Sequence, residues 1–308
     1  MQKIVVIGSS NVDTTLHVAD FPKPGETINA TKVTTAGGGK GANQAIAAAK
    51  SGAETYFISR IGEDADGEFM LRQLRACGVN TEYVQTTPRT NTGHAYINLD
   101  ASGQNNIVLD HGANYSLTAA DVTAAQDVIA AADVVLAQFE IPLAVTLAAF
   151  KIAKAAGKVT MLNPAPAERK IPAELLAVTD FITPNETEAA AITGVEITDE
   201  ASLAQSCQAL QELGVANVLI TNGARGSYFS VQGQQAFVPA SKVAVVDTTG
   251  AGDTFLGYLA GHLDADFANI KEAAIIASRA AAIAVQRSGA QPSIPMAQEV
   301  AEAMGGQL

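Results

Sequence analysis

The sequence predicts an α/β protein with three layers: a mostly parallel central sheet, helices on both of its faces, and a small extra β-sheet. Three observations predict it. Short β-branched runs recur along the 308 residues, helical patterns lie between them, and apolar residues make up 48% of the chain against 16% charged, with no tryptophan. The first run, Ile4–Ile7, ends at Gly8, and similar runs lie at Tyr56–Ile61, Val134–Phe139, Val159–Leu162, Phe181–Thr183 and Val218–Thr221. Their continuous apolar character marks strands buried on both faces. Helical patterns fill the intervals at Asn43–Ser51, Gly67–Cys77, Ala119–Ala131, Ala144–Ala156, Glu186–Thr193 and Ala201–Leu213. Such alternation makes neighbouring strands parallel.

Two segments break the rhythm. Asp20–Gly25 reads as a turn followed by the alternating stretch Ile28–Thr35, and His94–Leu99 with Ile107–His111 reads as a hairpin through Asp100–Gln104. Residues 12–36 and 91–113 are therefore expected to form the small sheet, serving as a lid or pairing with a second copy through its edges. The chain is expected to be one domain over residues 1–308. Pro295–Leu308 is expected to be a last helix that frays after Gly305 and Gly306.

A net charge of −12, without any block of Lys or Arg, argues against nucleic acid or an anionic membrane as partner. A phosphate ligand would need local amides, a metal ion and a few cations. Cys77 and Cys207, each inside a helical pattern, read as free thiols. The apolar run at the start is too short for a signal peptide, and the cytoplasm is the expected location.

Function in parallel sheets gathers at the carboxyl ends of strands, where Asn11, Glu140, Asn163, Asn185 and Asn222 fall. Asp247-Thr-Thr-Gly250-Ala251-Gly252-Asp253 precedes the apolar helical run Phe255, Leu256, Leu259. Free amides at a helix start attract anions. Asp253 is then either a cap for those amides or a base acting on a phosphate acceptor. Gly37-Gly-Gly39-Lys40-Gly41-Ala-Asn43 allows close backbone approach to a polar ligand, with Lys40 and Asn43 as donors; it is not a P-loop, because no Ser or Thr follows the lysine. Gly8-Ser-Ser-Asn also departs from the dinucleotide fingerprint. Asn11 and Asp13, two apart, point the same way and suit vicinal hydroxyls. Asn185 and Glu188, three apart, share a helix face and either cap the helix or hold hydrated magnesium. Thr221-Asn-Gly-Ala-Arg-Gly226 is either a strand-to-strand turn or a nucleotide loop.

Taken together, Gly38–Asn43, Asp247–Asp253 and Asn185–Glu188 resemble, in order and separation, the signatures of the ribokinase family of carbohydrate kinases. The resemblance spans essentially the whole chain, including Asn163-Pro-Ala-Pro166. It implies sugar contacts at Asn11, Asp13, Gly39, Lys40, Gly41, Asn43 and Glu140, with Asp253 as base and Gly250, Ala251 and Gly252 around the transferred phosphoryl group. It implies nucleotide contacts at Asn185, Thr221, Asn222, Gly223, Ala224, Arg225, Gly226, Gly252 and Ser278. Magnesium would be held near Glu188 through water. A monovalent cation such as potassium would lie at Asp247, Thr249, Ala284, Arg287, Gly289 and Ser293, mostly through backbone carbonyls. Homodimerisation through the small sheets is also implied. The expected reaction is transfer of the γ-phosphoryl group of ATP to O5 of D-ribose. A kinase acting on fructose, deoxyribose or a nucleoside such as adenosine, and a silent sugar or nucleotide sensor, are the alternatives.

Overall fold

The computed structural model describes residues 1–167 and 170–306, and thirteen strands in two sheets are found among them. In chain order these are β1 (Lys3–Ile7), β2 (Asn11–His17), β3 (Lys32–Gly38), β4 (Glu54–Gly62), β5 (Val84–Thr87), β6 (Gly93–Leu99), β7 (Asn105–Asp110), β8 (Val134–Ala137), β9 (Val159–Leu162), β10 (Phe181–Ile182), β11 (Asn217–Thr221), β12 (Gly226–Val231) and β13 (Gln234–Pro239). The large sheet has the order β13-β12-β11-β10-β9-β8-β1-β4-β5; its strands from β11 to β5 are parallel, while β12 and β13 add an antiparallel edge. The small sheet has the order β3-β2-β6-β7.

Helices cover both faces of the large sheet. They are α1 (Lys40–Lys50), α2 (Ala65–Ala76), α3 (Ala119–Ala124), α4 (Gln126–Ala131), α5 (Leu143–Ala155), α6 (Ala173–Leu176), α7 (Glu186–Thr193), α8 (Glu200–Glu212), α9 (Ala251–His262), α10 (Ile270–Ala284) and α11 (Ala297–Ala303). Strand alternation divides the core in two. Ile4 and Val6 of β1 face Ile46, Leu74, Tyr258 and Ile270, whereas Val5 and Ile7 face Ile129, Phe150, Leu203 and Leu210. Each fully buried aliphatic side chain of this kind contributes about 1.5–3 kcal/mol.

Several boundaries differ from the sequence reading, each for a local reason. The run expected to continue to Phe139 stops at Ala137, because Phe139 leaves the ladder to donate its amide to Ala165. The helix expected over Ala119–Ala131 is interrupted at Ala125, whose φ of −99° and ψ of 10° end one segment and begin the next. Helix α1 starts at Lys40, three residues early. Gly37 and Gly38 belong to β3, where a Cβ at Gly38 would lie within 2.1–2.2 Å of the Asp13 carboxylate, so no side chain is admitted there. Strands β5, β12 and β13 and helix α10 were not among the predicted elements. The final helix covers Ala297–Ala303; Gln307 and Leu308, the end of the segment expected to fray, lie outside the described residues.

Candidate active site

The site forms where β1, β8, β9 and β10 end and where α1 and α9 begin. Gly250, at φ 72°, precedes α9, and a side chain there would face both left-handed strain and contact with Ala290. No side chain caps α9. The amides of Gly252 and Asp253 have no acceptor among the described residues, whereas the Ala251 amide donates to Thr248 at 3.2 Å. Two unpaired amides at a helix start therefore face a cleft of about 240 Å³ lined by Lys40, Asn163, Thr183, Glu188, Gly250, Gly252 and Asp253.

Asp253 turns away from those amides. Its Oδ2 accepts from Asn43 Nδ2 at 2.9 Å and its Oδ1 from Gln44 Nε2 at 2.9 Å. The capping alternative left open by the sequence is thus excluded by geometry. Burial, the largest influence, raises the Asp253 carboxyl above its ordinary value, against the Lys40 charge and the two amide donors. Lys40 is itself raised: burial works against its charged form, but Asp253, Glu140 and Glu188 outweigh it.

Around this pair stand the other polar groups. Glu140 Oε2 accepts from Ser9 Oγ at 2.5 Å and from the Lys40 amide at 3.2 Å. Asn11 Oδ1 accepts from Asn114 Nδ2 at 2.7 Å, and Asn114 Oδ1 accepts from the Ser10 amide at 2.8 Å. Asn11 and Asp13 lie on β2 itself, two residues apart and hence on one face of the small sheet. The Asp13 carboxyl is pushed up to about 7 by burial first, then by Glu140 and Asp253, with His94 opposing.

Asn185 and Glu188 form a reciprocal cap on α7: Asn185 Oδ1 accepts from the Glu188 amide at 2.8 Å, and Glu188 Oε2 from the Asn185 amide at 2.9 Å. Both readings of this pair remain compatible, because Glu188 Oε1 and Asn185 Nδ2 have no protein partner among the described residues. Burial raises the Glu188 carboxyl, partly offset by the Asn185 amide and Lys40.

A second cleft of about 520 Å³ adjoins the first through Asn185, Thr221, Thr248 and Gly252. Gly223, Ala224, Gly226 and Ser278 also line it, beside the apolar Val243, Val245, Phe255 and Val285. Two residues of the expected nucleotide loop stand apart from it. Asn222 is buried behind the turn, and the Arg225 guanidinium donates to the Thr198 carbonyl at 2.8 Å.

Asp247 organises the loop before α9. Its Oδ1 accepts from the amide and hydroxyl of Thr249 at 2.9 and 2.7 Å, and its Oδ2 from the Gly289 amide at 2.8 Å. Burial raises its carboxyl, but these bonds outweigh it and hold it below the ordinary range. Nearby, the Arg287 side chain pairs with Glu299, Ser293 Oγ donates to the Ala290 carbonyl at 2.7 Å, and the Ala284 carbonyl accepts from the Arg287 amide at 3.0 Å. None of these bonds reaches the Asp247 loop, which is tied to this segment through the Val285 carbonyl, accepting from the Val246 and Asp247 amides at 2.8 and 3.2 Å, and through the Gly289 amide. Ser9, Gln44, Asn114 and Gln138 were missed by sequence reasoning. Only Gln44 carried a signal, since it follows Asn43 directly.

The chain matches the model of the pfkB family carbohydrate kinases over residues 1–297. It is 43% identical to a ribokinase of Staphylococcus aureus, over 97% of this chain and 98% of that one. It is 49% identical to a bifunctional ribokinase/ribose-5-phosphate isomerase A of Fructilactobacillus sanfranciscensis, over 96% of this chain but 55% of that protein, so it spans about half of that relative. The structure of Arabidopsis thaliana ribokinase complexed with ribose and ATP superposes with a TM-score of 0.90 at 36% identity, covering 98% of each chain. With matching signatures, a matching fold and a family match over nearly its full length, the chain belongs to the pfkB family of carbohydrate kinases.

Proposed function

We propose that this chain is a ribokinase: it transfers the γ-phosphoryl group of ATP to O5 of D-ribose, giving D-ribose 5-phosphate and ADP. The observation that carries the reading is Asp253, a carboxylate held off its own helix by Asn43 and Gln44 beside the free amides of Gly252 and Asp253. In this role Asp253 orients the sugar hydroxyl and accepts its proton late, as the forming bond acidifies it. The two amides and Lys40 stabilise charge on the transferring group. Asn11, Asp13, Gly39, Lys40, Gly41, Asn43 and Glu140 bind the sugar hydroxyls; the apolar second cleft takes the base of ATP, with Ser278, Gly223, Ala224 and Gly226 at its rim.

No group of three or more metal-ligating side chains exists among the described residues. That suits magnesium brought in on the nucleotide and touched by one carboxylate, Glu188, through water. Magnesium would supply charge neutralisation of the phosphates. The ionised Asp247, with Thr249 and the carbonyls of residues 284–293, fits a monovalent cation such as potassium, whose charge would support the loop leading into α9. The small sheet acts as a lid on the single domain. Val33, Tyr96 and Val108 share its face opposite Asn11 and Asp13 and are 43–63% exposed, which supports homodimerisation through that sheet. No helix among the described residues is long and apolar enough to cross a membrane.

The test is ADP release with ATP and magnesium across ribose, deoxyribose, fructose and adenosine, with and without potassium. Ribose is expected to give the highest kcat/KM. A higher value with adenosine or fructose would transfer the assignment to that acceptor, and no acceptor-dependent ADP would leave a sensor.

A further inference from the structure

Behind Asp253 runs a closed set of side-chain amides that touches neither cleft except at Asn163. Asn163 Nδ2 donates to the Thr183 carbonyl at 3.1 Å, which leaves Asn163 Oδ1 facing Gln44. Gln44 Nε2 uses one hydrogen on Asn163 Oδ1 at 3.1 Å and the other on Asp253 Oδ1 at 2.9 Å. Its Oε1 accepts from Gln138 Nε2 at 2.6 Å. Gln44 and Gln138 are both 0% exposed.

The order of donors in this set has one solution. A backbone carbonyl can only accept, so Thr183 fixes Asn163, Asn163 fixes Gln44, and Gln44 fixes Gln138. Turning the Gln44 amide over would set its oxygen against Asn163 Oδ1 and Asp253 Oδ1, and its nitrogen against Gln138 Nε2. Buried polar groups left facing their own kind are strongly disfavoured. Gln138 has no other side-chain partner: its Oε1 is buried and unpaired among the described residues. The end of β1 makes room for it, since a Cβ at Gly8 would stand 2.1 Å from that oxygen. Of the donors and acceptors on the Gln138 amide, the one hydrogen bond made among the described residues goes to Gln44.

We infer that Gln44 is a positioning residue for Asp253, with Gln138 and Asn163 locking the direction of its amide so that an N–H always faces Oδ1. Asn43 and Gln44, adjacent on α1, then grip the two carboxylate oxygens from one side and fix the plane of the group. Each oxygen keeps a lone pair for the sugar hydroxyl, and both donors favour the ionised form. Gln44 is sealed from solvent and reaches the cleft only through its bonds to Asp253 and Asn163. The inference rests on the reading of Asp253 as the base.

The test compares Gln44→Met, Gln138→Met, Asp253→Asn and the double variant Gln44→Met/Asp253→Asn, with steady-state kinetics on ribose and ATP–magnesium and calorimetric binding of ribose. For Gln44→Met, kcat is expected to fall about tenfold to a hundredfold, as misplacement of a reacting group does. Ribose KM and Kd are expected to stay within about twofold. Gln138→Met lowers kcat in the same manner and carries the test if Gln44→Met does not fold. In the Asp253→Asn background, Gln44→Met adds no further loss. An unchanged kcat in Gln44→Met, a loss expressed in KM, or an additive loss in the double variant would overturn the inference while leaving Asp253 as base. Full turnover in Asp253→Asn alone would instead remove the base, and this inference with it.

Discussion

Asp13→Asn is expected to change how stability depends on pH. The Asp13 carboxyl sits at about 7 in the folded protein against 3.8 for the free group, because burial and then Glu140 and Asp253 disfavour its charge. A rise of roughly three units corresponds to about 4 kcal/mol at roughly 1.4 kcal/mol per unit. The sign follows from proton counting. Between about pH 4 and 7 the folded state binds the proton and the unfolded state does not, so stability falls as pH rises through this window and is flat beyond it. Asn carries no such term. Relative to the variant, the wild type therefore loses up to about 4 kcal/mol across the window, and urea midpoints measured from about pH 4 to 8 would show the two proteins diverging. Parallel profiles would refute the reasoning. The same variant is expected to bind ribose more weakly, since stability given up at a binding carboxylate serves the ligand.

Two further substitutions test other parts of the site. Glu188→Gln keeps an acceptor for the Asn185 amide but removes the charge, so stability is expected to hold within about 1 kcal/mol while the magnesium concentration for half-maximal ADP release rises about tenfold or more; an unchanged magnesium titration would contradict the assignment. Gly8→Ala would place a methyl 2.1 Å from Gln138 Oε1 and 2.7 Å from the Gly41 Cα, and chemical denaturation is expected to show a loss of about 1–3 kcal/mol, with a loss under about 0.5 kcal/mol counting against it.

The parallel core was legible because its strands are buried on both faces and read as unbroken apolar runs; Val159–Leu162 was bounded to the residue and Ile4–Ile7 missed only Lys3 at the start of β1. The antiparallel edge was less so: β12 and β13 mix polar with apolar residues, as in Gln234–Pro239, and show no unbroken apolar run. Helix α10 was passed over because its buried face is mostly alanine, as at Ala273, Ala274, Ala277 and Ala280, which marks a core position less plainly than a large apolar side chain. Within the site, residues of distinctive type in glycine-rich strings could be picked out, such as Asp253 and Lys40. What could not be read was pairing across the chain. Gln44 meets Asp253 across 209 positions and Gln138 across 94. Neither the cap formed by Asn185 nor the departure of the Arg225 side chain toward Thr198 could be separated from a ligand role by spacing alone.

The central claim is that Asp253 is the base of a ribose kinase, and Asp253→Ala tests it most directly. Ribose-dependent ADP release is measured beside ribose binding by calorimetry on the same folded variant. Turnover is expected to fall by a factor on the order of 10² to 10⁴ with ribose affinity largely kept. Turnover near the wild-type level would contradict the account.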